Sequence, residues 1–179
     1  MTNIILPLKR TRNWSLPGLD ILTMTETTHP WPDYIHQSFD SAIHSDPSGT
    51  DQSVFYGPYT RLLYTLFSLR GQFEVVPKLK NRMMDQDFVP VLLVEVDRHP
   101  VFFMAIKPPA AFHDSGEPDE HMRRLFGDLR QNLDIPTLHG ISAYGTRLSF
   151  YEYDSATQSV QPSIGRWDCD VLQPEGADS

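Results

Sequence analysis

Apolar positions recur along this chain with two different periods, and the changes between them divide it into elements. In "GPYTRLLYTLFSLRG", Tyr59, Leu62, Leu63, Leu66 and Phe67 fall on one face of a 3.6-residue repeat. Pro58 suits a first turn and Gly71 an end, so the pattern predicts a helix over Pro58–Leu69. "FEVVPKL" follows as a strand that Pro77 pushes toward a sheet edge or a bulge, because proline has no amide hydrogen to donate. Two apolar runs, Val91–Val96 and Val101–Lys107, are linked by the short "DRHP" and predict a β-hairpin of largely buried strands. A second helical stripe, Met122, Leu125, Phe126, Leu129 and Leu133, predicts a helix over Asp119–Leu133, opened by Pro118 and stopped by Pro136. "HGISAYG" and "TRLSFYEYD" predict a further strand pair that turns at Gly145.

The resulting order, α-β-β-β-α-β-β, has an economical packing solution in three layers, with helices flanking a mixed sheet. The expected fold class is therefore α/β (α+β), as a single domain over residues 56–172. Residues 1–55 are rich in Thr, Ser, Asp, His and Pro without a sustained period, and are expected to form an irregular arm. Within it, "WPDYIHQSFDSAI" suits a short helix docked through Trp31, Tyr34 and Phe39, and "DSAIHSDPSGTDQS" reads as an exposed loop. The end "GRWDCDVLQPEGADS" is expected to pack Trp167, with residues 173–179 as a flexible tail.

Composition narrows the function classes. A chain of 179 residues with 40% hydrophobic and 11% aromatic residues can bury one substantial core. No run approaches the ~20 apolar residues that span a bilayer. In "MTNIILPLKRTRNW" the basic residues follow the apolar patch, the wrong order for a secretory signal, so no membrane role is expected. The single cysteine, Cys169, excludes an internal disulfide and any multi-cysteine metal site, and points to an intracellular, cytoplasmic or nuclear, setting. A net charge of −8 argues against a general nucleic-acid coat, whose affinity comes from phosphate contacts. A local basic patch or a metal ion would still permit nucleic-acid binding.

The stretch "VFFMAIKPP", Val101 to Pro109, carries one lysine, Lys107, out of a buried strand to a Pro-Pro stop. With that lysine closing the third strand, the core over roughly residues 57–154 resembles the PD-(D/E)XK, or restriction-endonuclease-like, superfamily, whose common core runs α-β-β-β-α-β. "IKPP" and the terminal "RWDCDVL" are also similar to segments of a group of fungal proteins. The family's motif is an Asp near the start of the hairpin, then a Glu or Asp two residues before a Lys. The resemblance implies Asp87 as the Asp and Lys107 as the Lys, with Mg²⁺ as cofactor and phosphodiesters as substrate. Ala105 stands where the second acid belongs, and a methyl group cannot hold a cation that wants oxygen ligands.

Glu95 in "LLVEV" is the leading substitute, because a carboxylate in so apolar a strand calls for a reason. It shares the face of Lys107 if Phe103 lies opposite it, and the other face if Phe102 does. Glu74 and Glu152 are further options. The catalytic set would be Asp87, Lys107 and Glu95, with Asp87 and Glu95 as metal ligands. Two functions follow: a degenerate nuclease-like protein that binds a partner protein or nucleic acid, or a metal-dependent nuclease with a displaced carboxylate. On residues alone, Lys107 also reads as a solvated strand-end lysine, and Asp87 as a turn residue.

Arg123, Arg124 and Arg130 give the second helix a basic face, with Arg147 as a neighbour in a candidate phosphate-binding patch; paired surface charges give the same pattern. "HDSGEPDEH" gathers acids and histidines as a metal site would, but acids also favour the positive end of the helix that follows. His139 suits either a general base or a structural strand-start residue, and Cys169 lacks an evident His partner. No serine elbow, P-loop or dinucleotide-binding glycine pattern is present.

Overall fold

Residues 31–68, 71–78, 90–112, 120–162 and 169–172 are described by the computed structural model. In chain order they form helices α1 (Asp33–Ser45) and α2 (Tyr56–Leu66), then strands β1 (Phe73–Lys78), β2 (Val91–Val96) and β3 (His99–Lys107). Helix α3 (Glu120–Leu129) follows, and after it β4 (Thr137–Tyr144), β5 (Arg147–Asp154), β6 (Ser159–Pro162) and β7 (Cys169–Asp170). One seven-stranded sheet runs β1-β2-β3-β4-β5-β6, with β7 paired to β5. Every pair is antiparallel except β3/β4, which is parallel and bridged by α3.

The central strands are buried on both faces, which is why they read as continuous apolar runs. Leu92, Val94, Met104, Ile106 and Ile141 pack toward α1 and α2. Leu93, Phe103, Ala105, Leu138 and Tyr151 pack toward Met122, Leu125 and Phe126 of α3. Helices therefore cover both faces of a mixed sheet. β1 is an edge strand, consistent with Pro77. The β2–β3 hairpin turns through Asp97 (φ 51°) and Arg98 (φ 69°), both left-handed, as a two-residue type I′ turn requires. Val94 pairs with Phe102 but Glu95 with Pro100, so Val101 is the extra residue of a bulge.

Several expectations need correction. The short helix expected in "WPDYIHQSFDSAI" is present as the 13-residue α1, and a 3₁₀ turn over Gln52–Phe55 adds further order to the segment read as an irregular arm. Ile35 and Phe39 are fully buried, and the Phe39 ring meets Tyr59 edge-on at 4.9 Å. Trp31 packs partly against the same cluster, whereas Tyr34 stays exposed. Leu66 and Leu129, expected in the core, are only partly buried, because each sits in the last turn of its helix as the chain leaves the sheet. β6 and β7 extend the sheet beyond the expected strand pair. Trp167 and residues 173–179 lie outside the described residues, while Val171 is buried beside β7.

Candidate functional site

The sheet register assembles a row of side chains around Lys107. Lys107 of β3 pairs with Tyr144 of β4, and Tyr144 with Arg147 of β5. By strand alternation all three share the α3 side of the sheet with Ala105. The Lys107 ammonium donates to the Tyr144 hydroxyl at 3.2 Å and lies 5.0 Å from that ring's centre. Phe112 meets Tyr144 edge-on at 5.5 Å, and the Arg147 guanidinium lies 4.8 Å from the centre of the Phe112 ring. Two cations and two aromatic rings thus form one continuous group at the end of the parallel pair. Lys107 is only 8% exposed, and burial lowers its pKa to about 8. Removing the ammonium from water disfavours its charged form.

The Pro-Pro stop has a mechanical basis. Pro109 is seated between two left-handed glycines, Gly49 (φ 67°) and Gly145 (φ 63°). A Cβ on Gly145 would stand 2.6 Å from Pro109 Cγ, and one on Gly49 would stand 3.1 Å from Pro109 Cβ. The Ala110 amide donates to the Gly49 carbonyl at 2.9 Å, and the buried Tyr59 hydroxyl donates to the Gly145 carbonyl. These contacts tie the end of β3 to the β4–β5 turn and to the α1–α2 layer, and so hold Lys107 in place.

Ala105 occupies the position two before Lys107 with no exposure at all, between Val91 of β2 and Ser142 of β4. The Ser142 hydroxyl is likewise fully buried and meets no hydrogen-bond partner among the described residues. Neither a methyl nor a neutral hydroxyl can offset the dehydration of Mg²⁺, so the described residues on this side of Lys107 do not fit that ion. No group of His, Cys, Asp and Glu suited to a metal is found among the described residues. Asp87 lies outside them.

Glu95 is not brought to Lys107. Alternation along β2 puts it on the Lys107 side of the sheet, but Leu93, not Glu95, faces Phe103. Glu95 faces Pro100, seven residues along β3 from Lys107, a separation of about 20 Å at the usual rise per strand residue. There its carboxylate is held by the Lys78 ammonium at 2.9 Å. Glu74 pairs directly with Glu95 at that far end, and Glu152 points to the opposite face, beside His139. A displaced acid from these three strands is excluded by register.

Arg123 and Arg124 are exposed on α3 and Arg130 in the 3₁₀ turn that follows it, and Arg124 is paired with Glu120 at 2.6 Å. Glu120 sits in the first turn of α3, and its pKa is lowered by that hydrogen bond. The rest of the "HDSGEPD" segment lies outside the described residues. His139 is largely buried on the α1–α2 side, where burial lowers its pKa to about 4, so it is away from the Lys107 row. Cys169 is half-buried in β7. The roles of Tyr144, Phe112 and Ser142 had no signal in the sequence, because they depend on the parallel β3/β4 register. No helix among the described residues is long and apolar enough to cross a membrane. No family model, curated protein or solved structure matches the chain.

Proposed function

We propose that this chain is a PD-(D/E)XK nuclease-like protein that has lost catalysis and binds the anionic groups of a partner, nucleic acid or protein, at the end of its parallel strand pair. The observation that carries the reading is the Lys107 row. A buried lysine stands beside Ala105, where a metal-binding carboxylate would be needed, and among the described residues Tyr144, Phe112 and Arg147 adjoin it, with Asp170 opposite Arg147. Supporting the ancestry is the element order α2-β1-β2-β3-α3-β4-β5 with Lys107 closing the third strand. Arginine and aromatic rings in one group suit phosphate and base contacts, or the carboxylates of an acidic peptide.

Two measurements test this. Calorimetric titration with Mn²⁺ should give no saturable heat for the parent at millimolar ion, and Ala105→Glu should raise the affinity. Anisotropy of a labelled single-stranded oligonucleotide and of a labelled acidic peptide should show one saturable partner, with binding weakened about tenfold by Arg147→Gln, or 1.4 kcal/mol. Cleavage of DNA or RNA by the parent with Mg²⁺ or Mn²⁺ would overturn the loss of catalysis. Failure of both probes to bind would overturn the binding role.

A further inference from the structure

α1 and α2 lie side by side in opposite directions, with Tyr34 near the start of one bonded to Thr65 near the end of the other at 3.0 Å. Between them lies a cleft of about 390 Å³ that is widely open to solvent. Its walls are unusual for this chain. α1 contributes Tyr34, Gln37, Ser38, Ser41 and Ser45, which recur at helical spacing on one face, with the buried Ala42 beside them, while its Ile35 and Phe39 face the core. α2 contributes Arg61, and Val54 closes one side with an apolar surface. Among the described residues no acid lines the cleft, although Asp and Glu outnumber Lys and Arg by 23 to 15 in the chain. Among the described residues no hydrogen bond or ion pair engages the Arg61 guanidinium, the Gln37 amide or the hydroxyls of Ser38 and Ser41.

We infer that this cleft binds a small molecule with an oxyanion head, a phosphate ester or a carboxylate, seated on Arg61. The guanidinium presents a planar fork of donors matched to two oxygens of such a group. Ser38, Ser41 and Gln37 add neutral donors from the facing helix, and Val54 and the Tyr34 ring give the ligand's body an apolar wall. The cleft lies on the α1–α2 side of the sheet, away from the Lys107 row, so the inference does not depend on the proposed function.

Phenyl phosphate and benzoate are suitable probes, since each joins one oxyanion to one ring. Titrated into the full chain and followed by amide NMR shifts, one of them should saturate, with the largest changes at residues 34–41 and 61. The tighter probe identifies the head group. Arg61→Gln should weaken binding at least about tenfold without changing the melting temperature, because Arg61 is exposed. Arg123→Gln, on the far face, should leave it unchanged. Absence of saturation for both probes at about 10 mM, below any affinity of use to a site of this size, would overturn the inference. Equal losses from Arg61→Gln and Arg123→Gln would also overturn it, since they would reveal diffuse charge attraction.

Discussion

Lys107 and His139 each place an ionisable group where its charged form is poorly solvated, and each ties stability to pH in a calculable direction. Lys107 has a folded pKa of about 8 against an ordinary 10.5. Below pH 8 both states are charged and the folded state bears the full penalty. Between pH 8 and 10.5 the folded state has released its proton while the unfolded chain still holds one, so stability rises with pH. The rise is on the order of 3 kcal/mol at most, before the Tyr144 contact offsets part of it. In urea unfolding from pH 7.5 to 10, Lys107→Met should be more stable than the parent at the lower end, and the gap should close toward the upper end. A constant gap would mean that Lys107 is solvated. His139 works at the acid side: its pKa of about 4 lies below an ordinary 6.5. The stability it allows is complete above pH 6.5 and is lost as pH falls toward 4, again by about 3 kcal/mol or less. His139→Gln should flatten the parent's decline between pH 6.5 and 5, measured by the same unfolding curves.

At the scale of elements, the β2–β3 hairpin holds a non-glycine residue where glycine is preferred. Arg98 at φ 69° is the second left-handed residue of the turn and is exposed. Arg98→Gly would leave the sequence Asp-Gly, the preferred type I′ pair, and should raise stability by about 1 kcal/mol in denaturant unfolding. A loss would show that the arginine makes a compensating contact. The hairpin itself was legible because both strands are apolar runs around a short link, although β3 begins at His99 rather than Val101. The two long apolar stripes were legible for the same reason: their periods are strong and local. β6 was not, since "SVQP" is short, mostly polar and ends in proline, and its strand character comes from pairing with Tyr151–Asp154. α1 was read as an optional helix in an arm because its apolar residues are few, yet Ile35 and Phe39 are wholly buried by contacts with α2 that no local pattern announces. The site divided the same way. Lys107 stood out by its place at a strand end, whereas its distance from Glu95 turned on the hairpin register, which sets Leu93 and not Glu95 opposite Phe103.

At the scale of the molecule, the sheet is two antiparallel meanders, β1-β2-β3 and β4-β5-β6, joined along one parallel seam. Within each meander, neighbouring strands are consecutive in the sequence, but the seam pairs Phe102 with His139 and Lys107 with Tyr144 across a connection that includes α3. Gly140 lies on this seam, where an added Cβ would stand 2.6 Å from Phe103 and 3.0 Å from Phe126, so α3 and β3 meet closely over it. Gly140→Ala should cost about 1–3 kcal/mol through overpacking. The seam also bears on how the chain reaches this structure. Closing a long connection loses chain entropy before the pairing it allows can compensate, so joining the meanders is the expected barrier to folding. Kinetic refolding of Gly140→Ala should then place most of its effect on the folding rate, while Arg98→Gly, inside one meander, should mainly slow unfolding. The same barrier leaves the inner edges of β3 and β4 unpaired in any chain stalled before it, and β3 is apolar along most of its length, so slow steps at the seam are where the nascent chain is open to aggregation.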